Sequence, residues 1–193
     1  MSLRGGHCMR RRVMDMPMGP SESVDRAAIA ADLERARISL HELLDDMGAK
    51  DFERSSNGTR WTNEQLLFHM VFGYMVVRRL LVLMRMFARL PDGVSRVFAR
   101  ALDAATPVFD KVNYRGSCLA ARVFDRRRMG RKCDRVIKSL QRRLADESDA
   151  ALRSGMHFPT RWDPFFADFM TLEQVYRYPG RHFDFHRNQL TLG

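Results

Sequence analysis

The chain has 193 residues, 45% of them apolar, and its 33 Lys and Arg against 23 Asp and Glu give a net charge of +10. That length and apolar share are enough for one packed globular domain, and the 12 Gly and 7 Pro are sparse enough to leave most of the chain free to be helical. Three cysteines, Cys8, Cys118 and Cys133, show no C-x-x-C spacing, which argues against a disulfide framework or zinc ribbon and for a reduced, cytoplasmic setting.

Residues 1–20 carry four arginines against Asp15 and no apolar run. They read as a disordered extension rather than a secretory signal, with Met14, Met16 and Met18 as alternative starts. A first helix begins near Ser21 or Ser23 and runs to Met47. Ile29, Leu33, Ala36, Leu40, Leu43 and Leu44 recur at helical spacing along it, and Gly48 is placed to end it. A polar loop covers 49–60.

The second helix starts at Thr62, whose hydroxyl and Gln65 form a capping box, and it stops at Pro91-Asp92-Gly93. From Leu66 to Val77 it is apolar nearly all round, which predicts burial in the middle of a bundle. The apolar stretch is too short to cross a membrane. A shorter helix is predicted over 94–105, a loop over 109–118 around Asn113, Gly116 and Ser117, and a further helical piece over 119–128. A third long helix follows from Gly130 to Ser154, ended by Gly155. A two-proline loop, 156–168, leads to the last helix, opened by a second capping box of Thr171 and Gln174. Pro179-Gly180 either kinks this helix or starts a new one.

The charge is uneven: 16 Lys and Arg stand against 5 Asp and Glu between Arg85 and Arg143. Such a segment is most often a solvated face. Its alternative is a surface for nucleic acid or anionic lipid, with Phe98, Phe109, Tyr114 and Phe124 as stacking groups among the arginines.

Six histidines are present. His182 and His186 are four apart, so on a helix both rings lie on one face, one turn from each other. Two imidazoles so placed can meet one metal ion at about 2.0–2.1 Å. The spacing alone is a weak signal, since paired histidines on a helix are more often surface or hydrogen-bonded core residues. A third ligand from elsewhere is needed, and His69 in the apolar second helix is the candidate, because a buried imidazole requires a partner. His7 and His41 look incidental. His157, in the loop before the last helix, is positioned to fold over the site. Glu64, Asp163 and Asp168 are possible acid or base helpers. Asp184 lies about 200° round the helix from His182 and so points away.

Trp61-Thr62-x-x-Gln65-Leu66-Leu67-x-His69-Met70 resembles the start of the second helix of DinB-like proteins, a superfamily that includes bacillithiol- and mycothiol-dependent transferases. Met170 to Tyr176 followed by His182-x-x-x-His186-x-x-Gln189-Leu190 is similar to that family's last helix, and His157 to Asp163 to the approach to it. The resemblance implies an all-α, up-down-down-up four-helix bundle over 21–193, with 91–130 as a basic helical insertion between the second and third helices. It implies a divalent metal ion, whether Zn, Ni, Fe or Mn, held by His69, His182 and His186. It also implies an S-transferase or related enzyme acting on an electrophile with a low-molecular-weight thiol as co-substrate. A metal-dependent hydrolase and a non-catalytic, stress-related metal-binding protein are the alternatives, with nucleic acid a less favoured partner. The apolar second helix makes a homodimer an option.

Overall fold

The computed structural model describes residues 23–193. The expected extension over 1–20, with His7 and Cys8, lies outside them.

Helix α1 (Arg26–Asp46) starts where the Asp25 carboxylate accepts from the Ala28 N–H, a few residues after the predicted serines. Ile29, Leu33, Ala36, Leu40, Leu43 and Leu44 are buried as their spacing requires. The helix ends before Gly48, which is extended (φ −74°) and opens the short α2 (Ala49–Glu53). Helix α3 (Asn63–Phe87) has the predicted capping box at Thr62 and Gln65. By length and composition α3 is apolar enough to cross a bilayer, but it is packed inside the bundle, where Leu66, Leu67, Met70, Val77 and Leu81 are wholly buried.

Helices α4 (Asp92–Ala104) and α5 (Thr106–Val123) follow. The second corrects the expected loop over 109–118. Pro107 sits in the first turn of α5, where its missing N–H costs nothing. Ser117 and Ala121 are buried in the packing of α5 on α3, so tertiary contact outweighs the poor helix propensity of Asn113, Gly116 and Ser117. The chain turns at Phe124, and the Asp125 carboxylate caps α6 (Arg126–Asp146). The third long helix therefore starts before Gly130, which is interior. It also stops short of Ser154: the chain breaks at Glu147 and resumes as α7 (Asp149–Arg153). Buried Glu147 pairs with Arg85 of α3, and its carbonyl accepts from Arg26 of α1 at 2.9 Å. Two three-residue strands, β1 (Gly155–His157) and β2 (Phe169–Thr171), pair antiparallel and pinch off the intervening loop. Helix α8 (Leu172–Arg187) has its capping box at Thr171 and Gln174 and runs as a single helix through Pro179. Gly180 lets α1 approach closely there, since a Cβ on it would overlap the Asp32 carboxylate.

Helices α1, α6, α3 and α8 form a ring in that order. The end of α1 near His41 lies against Gly130, and its start against Glu147, so α1 and α6 are antiparallel. Phe68 meets Phe124 at one end and Arg85 meets Glu147 at the other, so α3 and α6 are parallel. His69 near the start of α3 meets His186 near the end of α8, so those two are antiparallel. The result is the up-down-down-up bundle. Helices α4 and α5, within the basic segment, cover one side of α3. Phe98 packs on Phe87, Phe109 on Trp162, Tyr114 beside Trp61 and Phe124 on Phe68. All four aromatics are thus engaged within the protein and do not form an open stacking surface.

Candidate metal centre

His69 occupies the buried face of α3, two turns after the Thr62 cap, and His182 and His186 share the inward face of α8. The antiparallel packing of α3 on α8 brings the three together. Ring centroids lie 5.0 Å apart for His69 and His182, 4.9 Å for His69 and His186, and 4.5 Å for His182 and His186. One candidate ligand atom from each falls within 4.8 Å of the others, close enough that small ring movements bring all three to about 2.1 Å from one ion.

The rings are held from outside. His186 Nδ1 lies 2.7 Å from Gln189 Oε1, so the proton sits on Nδ1 and the Nε2 lone pair is left bare. His69 Nδ1 faces Ser117 Oγ of α5 at 3.5 Å, and the Trp61 ring stacks on the other side of His69 at 4.4 Å. His182 Nδ1 is buried with no hydrogen-bond partner among the described residues, against the bare backbone of Gly73. Burial lowers the pKa of all three: His69 falls to about 3, with the neighbouring His186 adding to the effect, and His182 and His186 shift the same way. Three neutral imidazoles brought together in an apolar interior, one of them with a ring nitrogen that makes no hydrogen bond, is an arrangement that a cation resolves and that is otherwise costly. The donor set therefore fits a divalent metal ion.

Of the expected helpers, only Asp163 reaches the site. Its Oδ2 accepts from the Tyr178 hydroxyl at 2.7 Å and lies 3.7 Å from His182 Nε2. Burial raises its pKa, while the Tyr178 donor, the Phe165 N–H and His186 oppose that rise. Asp168 instead flanks His157, whose ring is buried between Asp168 and Asp92 at 3.1 and 3.2 Å. His157 thus ties α4 to the strand pair and does not fold over the histidines. Glu64 borders a separate surface hollow with Glu53 and Arg126. His41 pairs with Asp134, and Asp184 turns away to Arg35. Ser117 and Asn113 carry no mark in the sequence that sets them apart as site residues. For Trp61 the signal was present only in its place before the capping box.

The triad opens onto a cavity of about 270 Å³. Its walls come from α3, from α4 and α5, and from the loop between the strands. Trp162 of that loop stacks on Phe109 at 3.9 Å and donates to the Leu102 carbonyl at 2.8 Å, which seals loop and helices together.

A family model described as the DinB superfamily matches residues 32–190. The chain belongs to the DinB superfamily. Curated proteins and solved structures give no match. The matched span contains all three histidines and also helices α4 and α5. Family membership and the three-histidine cluster together fit a metal-binding DinB-like protein.

Proposed function

We propose that this DinB-superfamily chain is a metal-dependent enzyme in which His69, His182 and His186 hold a divalent ion, and that it carries out thiol-dependent S-transfer onto an electrophile. The observation that carries the reading is the convergence of three buried, neutral imidazoles at the floor of a cavity large enough for a small molecule. Three neutral ligands leave the ion's charge uncompensated and leave room for a further ligand, which is the arrangement of a reactive rather than a structural site. A bound divalent ion lowers the pKa of a thiol or water and polarises a carbonyl.

The chain's own groups do the remaining work. Gln189 and Ser117 orient the outer nitrogens of His186 and His69. Trp61 covers the His69 ring. Asp163, braced by Tyr178, offers a carboxylate beside His182 that can accept a proton from an entering thiol. The apolar walls exclude bulk water from the reacting groups.

Elemental analysis of the protein as purified and after Co²⁺ reconstitution tests the site. One ion per chain is expected, with loss on His69→Ala, His182→Ala or His186→Ala. Thiol consumption with a panel of electrophiles, such as 1-chloro-2,4-dinitrobenzene, tests the reaction and should require both metal and His186. No stoichiometric metal under any loading condition refutes the metal site. Metal without thiol-dependent turnover favours a non-catalytic binding protein.

A further inference from the structure

The cavity above the triad has a composition of its own. Among the described residues no Lys or Arg lines it, and its only carboxylate, Asp163, is engaged by Tyr178 and by the Phe165 N–H. Its walls are otherwise almost wholly apolar, with Phe72, Val76 and Leu80 from α3 facing Phe98 and Leu102 from α4. The cations near the site lie outside: Arg60, Lys111 and Arg115 border an adjoining outer pocket. Two side chains, Trp61 and Asn113, line both spaces. Each buries a polar atom that has no hydrogen-bond partner among the described residues, the indole Nε1 donor of Trp61 and the amide oxygen of Asn113. An unsatisfied buried donor or acceptor costs about 1–3 kcal/mol; both atoms are closed to solvent here, and because their side chains line the cavity, a small rotation of either turns it towards a ligand's polar group.

Size narrows the ligand further. An apolar cavity of about 150 Å³ holds a benzene molecule, so 270 Å³ accommodates roughly two fused rings, or one ring with a short chain.

We infer that the substrate taken into this cavity is a neutral, apolar compound of one to two rings. Its body lies between α3 and α4, and a single hydrogen-bonding head meets Asn113 and Trp61 beside the histidines. A charged or highly polar body finds no counter-charge in the walls and loses its hydration on entry. A neutral hydroxyl head satisfies both orphaned atoms, accepting from the Trp61 indole N–H and donating to the Asn113 amide oxygen. This substrate class rests on the metal-site reading above for its chemistry, but its binding can be measured without metal.

The test is calorimetric titration of the full chain with 2-naphthol and, separately, with naphthalene, in metal-free and Co²⁺-loaded protein. 2-Naphthol is expected to bind both forms. Val76→Trp, which fills the apolar end, should weaken it at least tenfold with Co²⁺ binding kept. Asn113→Ala should weaken 2-naphthol about fivefold and leave naphthalene unchanged. Should Val76→Trp fail to fold, the Asn113→Ala comparison decides. Absence of 2-naphthol binding, or equal loss of both probes in Asn113→Ala, overturns the inference. Co²⁺ binding without 2-naphthol binding overturns the substrate class alone. 2-Naphthol binding with the predicted Asn113 dependence but no Co²⁺ binding supports the ligand site and overturns the metal reading.

Discussion

Gly73 is one turn beyond His69 on the same face of α3, and it is the backbone against which His182 rests. A Cβ built there stands 3.0 Å from His182 Nδ1 and 3.3 Å from Cε1, so Gly73→Ala forces the ring aside by a few tenths of an ångström. Two effects on stability oppose each other. Alanine in a helix interior is favoured over glycine by about 1 kcal/mol, while overpacking a filled site costs about 1–3 kcal/mol. The metal-free variant should therefore stay within about 2 kcal/mol of the parent in urea denaturation. Metal binding is less forgiving, because ligand distances must hold to about ±0.2 Å. We expect the Co²⁺ dissociation constant to rise about tenfold, equivalent to about 1.4 kcal/mol, and the Tm gain on adding Co²⁺ to shrink accordingly. Gly116→Ala on α5 is the control, since nothing lies within 4 Å of its Cβ. It should stabilise the protein slightly through helix propensity and leave metal affinity unchanged. An unchanged Co²⁺ constant in Gly73→Ala would refute the placement of His182 as a ligand braced by this glycine.

Three further outcomes follow from burial. All three triad histidines have lowered pKa values, His69 to about 3, so below the ordinary value of about 6.5 the unfolded chain binds more protons than the folded one. The triad's contribution to the stability of the metal-free protein is complete above pH 6.5 and is lost as pH falls towards 3; a Tm that does not drop between pH 7 and pH 5 contradicts this. Burial pushes the Cys133 thiol up to about 12, so in native protein at pH 8 iodoacetamide should label the more accessible Cys118 and spare Cys133. Peptide mass spectrometry reads this directly, and equal labelling of the two sites counts against it. Leu140→Ala removes a wholly buried side chain of α6 and should cost about 2–5 kcal/mol in urea denaturation; a loss below about 1 kcal/mol would show that the bundle core is not packed as described.

Local chemistry in the sequence was legible wherever one residue's neighbours decided its state. Thr62 with Gln65 and Thr171 with Gln174 announced two helix starts, because a capping box is satisfied within four residues. Helix α5 was misread because Asn113, Gly116 and Ser117 are locally poor helix formers, and only their packing on α3 offsets that. The break at Glu147 had a local signal in Ser148, which caps α7 by accepting from the Ala151 N–H. Glu147 itself is held by Arg85 and Arg26, which are distant in sequence. Pro179 pointed to an interruption, yet α8 continues through it.

The same division runs through the site. Spacing by itself determined that His182 and His186 share a face, since that follows from 3.6 residues per turn, and the apolar run around His69 determined that its ring is buried. Which carboxylate joins them was beyond the sequence. Asp163 and Asp168 lie in one loop with similar surroundings, and the pairing of β1 with β2 sends one to His182 and the other to His157. The cavity, too, exists only in three dimensions. Its walls come from segments as far apart in sequence as Trp61 and His186, and Trp61 and Asn113 line one space only because α5 packs over α3. Periodicity fixes the direction of a side chain on its own helix; what it meets there is decided by how the helices pack.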